Sequence, residues 1–415
     1  MTRVRTVQVL LVVAVLALAE LPLAWHYLVD WPGDQWQVDL EVYREAARSV
    51  LYGRPVYGTL TESPQLLPFT YPPFSAFVAL PLAAVPFHLA GWLWTALQVA
   101  ATYATVLIAF RRLLVRFGTW RWLAGAVVTA PLLYLHPVSD GVRFGQVNAF
   151  LVLACLVDVA VARTPGRRWL GPRGVWVGLA TAVKLTPGVF LVHFAVCRRW
   201  RDLRTAVLAA AGATLGAFLV LPSASLAFWG GALSDPARLG PNRGTSNQSL
   251  RGVLLRLGPD GVAGSAVWVL AVVVVGVAGF AVARRAYRAG DPVAEVAAVG
   301  LMAVLLSPVA WIHHFAWMVV VIGALVGSAR SPRRVVLGLV MATWFWCRMP
   351  WWGITWLADG RPGEWFGRLL QNSDCLGALV ALGLLWWVTG RGASSPDGAG
   401  PASADVTAVG AAKVG

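Results

Sequence analysis

Asp39 opens a run of helical spacing, Asp39–Leu51, that also carries Glu41, Tyr43 and Glu45. An aspartate at a rigid helix start can accept a proton from a hydroxyl. It can also simply cap the helix, a role worth about 1 kcal/mol. Asp30 and Asp34 are nearby rivals for the proton, whereas Glu41 and Glu45 read as a solvated face. Further along, Arg143, Gln146 and Asn148 close a loop, and Lys184 stands inside an apolar stretch before Thr186 and Pro187. An ionisable side chain in lipid is expensive and points to function, or else snorkels to the interface. The run Asn242–Arg251 supplies Asn247, Gln248, Ser249 and Arg251, enough donors to hold a sugar or a phosphate or to be a solvated loop. Trp311, His313 and His314 sit at a helix end; adjacent histidines point in different directions, which disfavours joint metal binding.

The elements that position these groups are membrane helices. Of the 415 residues 58% are hydrophobic and only 13% charged, against about a quarter charged in soluble domains. The net charge of +15 would point to nucleic acid in a soluble protein, but the arginines lie between apolar runs, where an anionic inner leaflet is the better partner. No nucleic-acid partner is expected. The four cysteines show no metal or framework spacing, and only Cys347 and Cys375 fall where a pair could form.

A span needs roughly 20 apolar residues. Candidates are Val7–Val29, 88–110, 121–137, 147–163, 170–185, 187–197, 203–222, 264–284, 293–309, 314–328, 335–349 and 373–390. The first resembles a signal peptide around Ala17–Ala19, but its apolar run continues to Leu28 and is read as a retained helix. Arginine clusters (Arg111, Arg112 and Arg116; Arg163, Arg167 and Arg168; Arg198, Arg199, Arg201 and Arg204; Arg284, Arg285 and Arg288; Arg330, Arg333 and Arg334) recur after every second span, which makes them cytoplasmic. That works if Phe74–Val85, punctuated by prolines, is re-entrant or shallow. The expectation is an all-α polytopic membrane protein with about 12 crossings, both termini inside, one domain over 1–390, and a disordered cytoplasmic tail over 391–415. Most carboxylates, including Asp39, Asp140, Asp260 and Asp359, then fall on the outer face. Short amphipathic helices are expected in the outer loops, one of them with Leu40, Tyr43, Ala47, Val50 and Leu51 against the membrane surface.

In order along the chain stand Asp39, Tyr43, Ala47, Gly53 and Tyr57; Tyr71-Pro72-Pro73 and Pro81; and Gly145-Gln146-Val147-Asn148. Lys184-Leu185-Thr186-Pro187 follows, then Asn247-Gln248-Ser249-Leu250, Arg256, Ser307-Pro308, Trp311 and His313-His314. With these blocks over about residues 30–320 the chain resembles the polyprenol-phosphate-mannose-dependent α-1,2-mannosyltransferases, glycosyltransferase family 87, of the GT-C membrane fold. The resemblance implies an active site at the outer membrane face and an aspartate of the first outer loop as catalytic base; Asp39 is the matching position. It implies a polyprenyl-phosphate-mannose donor, a glycolipid or lipoglycan acceptor, and a place in the cell membrane.

On that expectation a β-linked donor gives an α product by one inverting displacement, with Asp39 taking the acceptor proton. The leaving phosphate then needs cations, for which Lys184, Arg251, Arg143 and His313 or His314 are candidates. Tyr43, Tyr71, Gln146, Asn148, Asn247, Gln248 and Ser249 complete the expected substrate-binding set. The scheme calls for no cofactor or metal. Other readings are a GT-C transferase using another polyprenyl-phosphate sugar, or a lipid or glycan transporter.

Overall fold

The computed structural model describes residues 2–32, 36–162, 170–259 and 261–391. Asp34, Arg163, Arg167, Arg168, Asp260 and all but the first residue of the expected tail 391–415 lie outside them.

The described chain is helical. Helix α1 (Thr2–Trp25) runs into a π-helical turn, His26–Asp30, and α2 (Val38–Leu51) follows. Two short pieces, α3 (Pro73–Val78) and α4 (Leu80–Ala83), form the segment expected to be shallow. Then come α5 (Phe87–Ala109), α6 (Arg111–Leu114), α7 (Arg121–Leu132), α8 (His136–Phe144), α9 (Asn148–Leu156) and α10 (Val175–Val183). The middle holds α11 (Val189–Val196), α12 (Trp200–Val220), α13 (Pro222–Ala227), α14 (Leu250–Leu257) and α15 (Gly261–Arg288). The last third comprises α16 (Pro292–Leu305), α17 (Met318–Val326), α18 (Pro332–Trp346), α19 (Met349–Ala358), α20 (Glu364–Gln371) and α21 (Ser373–Arg391).

Among the described residues five stretches are long and apolar enough to cross a bilayer: Thr6–Asp30, α5, α12, α15 and Ser373–Gly390. A sixth is the broken pair Arg111–Leu132 and His136–Phe144, bent by 82°. The molecule is therefore a multi-pass helical membrane protein. Four more expected spans fall on shorter apolar helices, Asn148–Val161, Thr186–Val196, Pro292–Leu305 and Ile312–Val326. Pro187 explains one such break: it has no N–H to bond the carbonyl four residues back, so α10 stops at Val183.

The short helices α16 and α17 are buried on all sides, from Ala294 to Leu305 and from Met318 to Leu325. A helix apolar all round belongs in the interior, and α5, α9, α15 and α21 pack around this pair. By contrast α12 and α15 leave Leu208, Leu215, Leu219, Val269, Leu270 and Val273 exposed, as lipid-facing helices do.

Several expectations are corrected. The apolar face of α2 does not lie on the membrane. Leu40, Tyr43 and Ala47 are buried, and they pack with Tyr57, Phe69, Tyr71, Ala76 and Phe228, because the loop after α2 folds back over that face; only Leu51 is exposed. Asp39 is not the N-cap. Gln37 holds that position with φ +42, and Asp39 is the second residue of the helix. All four cysteines are free. Arg199 does not meet a leaflet either. It is buried between Glu295 and Asp202, and Glu295 also contacts His193 Nε2 at 2.9 Å. Asp158 accepts from Gly174 N (2.6 Å) and Val177 N (2.8 Å), serving the open end of α10 from a neighbouring helix.

Candidate active site

Freed from capping, the partly buried Asp39 carboxylate points at the start of α9. Its Oδ2 accepts from Gln146 Nε2 at 2.6 Å. Gln146 Oε1 accepts from Tyr43 Oη (3.3 Å) and Asn148 Nδ2 (3.2 Å), which fixes the amide with its NH2 toward the aspartate. Tyr43 spends its proton on Gln146, so Tyr71 donates across the 3.0 Å contact between the two hydroxyls. Burial pushes both phenols above their ordinary range, and they remain donors.

Asn148 extends the network to a cation. Its Nδ2 also donates to the carbonyl of His313 (3.1 Å), and its Oδ1 accepts from Lys184 Nζ (3.0 Å). Lys184 lies 5.2 Å from the Tyr71 ring centre and 2.9 Å from His314 Nε2. His314 Nδ1 accepts from the Trp311 backbone N–H (3.2 Å), so a neutral His314 carries its proton on Nε2, facing Lys184. An ammonium there would oppose donor to donor. The lysine must be a neutral amine, or an anionic oxygen must lie where both can reach it.

The backbone brings these groups together at one tight crossing. Gly145 ends α8 with φ +70, and a Cβ there would come within 2.6 Å of Leu40 Cβ. Only glycine lets the α8–α9 turn approach α2 closely enough for Gln146 to reach Asp39. Gln37 fastens the other side, donating to Thr95 Oγ1 (2.8 Å) and to the Val142 carbonyl (3.3 Å). Behind Gln146 and Asn148 lies a cavity of about 30 Å³, bordered also by Gln98, Thr105 and His313. It has room for a water.

Burial pushes the Asp39 carboxyl above the usual aspartate range. The nearby His313, the Gln146 hydrogen bond and Lys184 pull it partway back. The result is a carboxylate oriented on one oxygen, open on the other, and close to the basic side chains of His313 and Lys184.

Asp39, Tyr43, Tyr71, Gln146, Asn148, Lys184 and His314 thus form one connected set. The other expected residues stand apart from it. Asn247 Oδ1 accepts from Ser249 N (3.2 Å) and Ala310 N (3.0 Å), and Gln248 bonds Thr245, Gln371 and Cys375 backbone atoms. Ser249 caps α14 through Gly252 N (3.0 Å). All three are completely buried, and these bonds tie the loop 241–249 to the turn that presents Trp311 and His314. Arg251 lies over the Trp268 ring and Arg143 over Trp31 and Phe144. His313 packs on Phe144 and His314. Gln37 and Gln98 were not anticipated; a glutamine inside the apolar helix α5 was the available signal.

The family model of Glycosyltransferase family 87 matches residues 69–308, more than half the chain. A polyprenol-phosphate-mannose-dependent alpha-(1-2)-phosphatidylinositol mannoside mannosyltransferase of Mycobacterium tuberculosis (strain ATCC 25618 / H37Rv) is 34% identical over 341 residues, covering 77% of this chain and 78% of its own. A polyprenol-phosphate-mannose-dependent alpha-(1-2)-phosphatidylinositol pentamannoside mannosyltransferase of M. tuberculosis (strain CDC 1551 / Oshkosh) is 35% identical over 379 residues, 88% of this chain and 84% of its own. A protein of that same description from Mycolicibacterium smegmatis (strain ATCC 700084 / mc(2)155) is 32% identical and covers 92% of this chain and 91% of its own. No solved structure gives a significant match.

Proposed function

The chain belongs to glycosyltransferase family 87, and from that premise we infer that it is a membrane mannosyltransferase that moves mannose from polyprenyl-phosphate-mannose to a hydroxyl of a glycolipid. The relatives' names support that donor, an α-1,2 linkage and a phosphatidylinositol mannoside acceptor. The observation that carries the mechanism is Asp39, oriented by Gln146 and joined through Asn148 to Lys184 and His314.

Asp39 is the general base. As the acceptor oxygen attacks the anomeric carbon, its proton passes to the open oxygen of Asp39; the C1–O bond to the acceptor forms and the C1–O bond to phosphate breaks. The sugar inverts from β to α. Charge grows on the departing phosphate, and Lys184 and His314 Nε2–H are the two donors that meet it. A phosphate between them also resolves their donor-to-donor conflict. Tyr43 and Tyr71 hold Gln146, and so hold Asp39. Asn247, Gln248 and Ser249 act through the frame, while the side chains of Arg143, Arg251 and His313 stand outside the hydrogen-bonded set.

The site faces the outside of the cell membrane in a GT-C fold of about 12 crossings, with both termini cytoplasmic. The arginine pattern supports that orientation. Residues 1–390 form the transferase domain.

Purified protein in lipid, given polyprenyl-phosphate-mannose and a panel of mannosylated phosphatidylinositols, is the test. Transfer by the wild type and none by Asp39→Asn is expected. Equal activity in both would move the base elsewhere. No transfer by the wild type would return the donor sugar to question.

A further inference from the structure

Resting on that reading, Asp39 works as a base only if the Gln146 carboxamide meets it at bonding distance. The two stand on separate segments, α2 and the α8–α9 turn. Helix α5 holds both. Gly91, Thr95 and Gln98 follow one another at intervals of four and three residues, so they share one face of α5. All three are buried, inside a stretch apolar enough to cross a bilayer. A buried amide or hydroxyl in such a helix needs partners within the protein.

Gly91 and Thr95 receive the start of α2. A Cβ on Gly91 would run into the Trp36 ring and come within 2.7 Å of Gln37 Oε1. With that space free, Thr95 Oγ1 accepts from Gln37 Nε2 at 2.8 Å. Gln37 is the residue just before α2, two positions from Asp39. Gln98 holds the α8–α9 turn. That turn closes on itself: Gln146 N donates to Gly141 O (2.9 Å) and Gly145 N to Val142 O (3.1 Å), as in a helix ended by glycine. Gln98 Nε2 has two hydrogens and gives one to each end of the turn, the carbonyls of Gly141 (3.1 Å) and Gln146 (2.5 Å). A flipped amide would set its oxygen against two carbonyl oxygens, so the orientation is fixed. Gln37 Nε2 adds a bond to Val142 O at 3.3 Å, which joins the two anchored segments. Lys184 and His314 stand on other elements, the end of α10 and the turn before α17.

We propose that Thr95 and Gln98 are positioning residues for the transfer: one face of α5 fixes both the start of α2 and the turn before α9, and so sets the reach of Gln146 to Asp39. Neither residue touches substrate. Each acts through a glutamine, Thr95 through Gln37 and Gln98 through the backbone of Gln146. A misplacement of about 1 Å at a reacting group can cost a hundredfold in rate, so a rigid gauge between the base and the amide that orients it bears directly on turnover.

The test uses Gln98→Met and Thr95→Val, which keep the bulk of the side chain and remove its hydrogen-bonding group. Each is judged alone, per folded molecule in lipid, so that one misfolded variant leaves the other to decide. In both, kcat should fall roughly ten- to a hundredfold, while the KM for polyprenyl-phosphate-mannose stays near the wild-type value. Adding Gln98→Met to Gln146→Ala should cost little beyond Gln146→Ala alone, because both break the same contact. A purely structural role would leave kcat per folded molecule unchanged. Wild-type kcat in both variants would overturn the proposal, and so would losses that multiply in the double variant. Backbone amide exchange over residues 141–148 should also quicken in Gln98→Met with no substrate present. Unchanged exchange there would overturn the bracket whether or not mannose is transferred, whereas a wild type that transfers nothing would count against the functional reading alone.

Discussion

A carboxylate that is buried and must still take a proton works against itself, and on the proposed role Asp39 shows the balance. Burial raises its pKa, and His313, Gln146 and Lys184 offset part of the rise. A carboxyl whose folded pKa exceeds its unfolded value of about 3.9 contributes stability at low pH that is lost as pH rises through the folded value. At neutral pH ionised Asp39 therefore costs stability. Asp39→Asn should lose transfer by roughly two to four orders of magnitude while unfolding no more easily than the wild type at pH 7. Thermal unfolding in lipid at pH 7 checks the sign; a clearly less stable variant would refute it. For the same reason the acid limb of kcat/KM should lie above the ordinary aspartate range, and a pH profile from 4 to 8 would locate it.

Lys184→Ala should weaken donor use more than acceptor use, since the lysine is assigned to the phosphate; equal donor affinity in both proteins would remove that assignment. At this scale the sequence was readable where a polar group stood out against apolar surroundings, as Lys184 does, whereas Gln146 stands in a polar turn and was reached through the family resemblance. It was not readable for Asn247, Gln248 and Ser249, whose types suit a sugar but whose bonds go to backbone at Ala310, Thr245 and Gly252. Nor could spacing set Gln98 against the α8–α9 turn, since only the fold brings them together.

At the scale of elements, the site depends on how closely two chain segments approach. Gly145 permits the contact between the α8–α9 turn and α2, and its φ of +70 is strained for any side chain. Gly145→Ala should shift Gln146 off Asp39 and destabilise the fold by about 1–3 kcal/mol. Thermal unfolding and transfer should fall together, and Gly145→Ala with normal transfer would show that the approach is not needed. The amphipathic period of α2 was legible in the sequence, but its partner was not. Period alone says that a face is apolar, and either lipid or a returning loop can cover it. Here residues 56–83 do, and that cover holds Tyr71 over Lys184.

Across the whole molecule, ionic groups have been moved indoors at the end opposite the site on the proposed topology. Arg199 bridges Glu295 and Asp202, Asp202 also meets Arg173, and His193 closes on Glu295. Removing one partner of such a buried set leaves the other charge uncompensated, so Glu295→Gln should cost about 3–5 kcal/mol without altering transfer per folded molecule. Unfolding temperature and activity normalised to folded protein would check both halves. The multi-pass class was plain from composition, whereas the number of crossings was obscured by helices such as α16 and α17. At 14 residues α16 is only about 21 Å long, and it is enclosed by other helices rather than by lipid.

The connected set draws on α2, the α8–α9 turn, the end of α10 and the turn before α17. The last of its members to be synthesised is His314, three quarters of the way along the chain. On the proposed reading the ribosome therefore delivers the base early and one of the two phosphate donors late. A nascent chain in the membrane would already hold Asp39 but lack His314. It would meet the lipid donor with an incomplete site, and activity would begin only once the closing helices have been threaded into place.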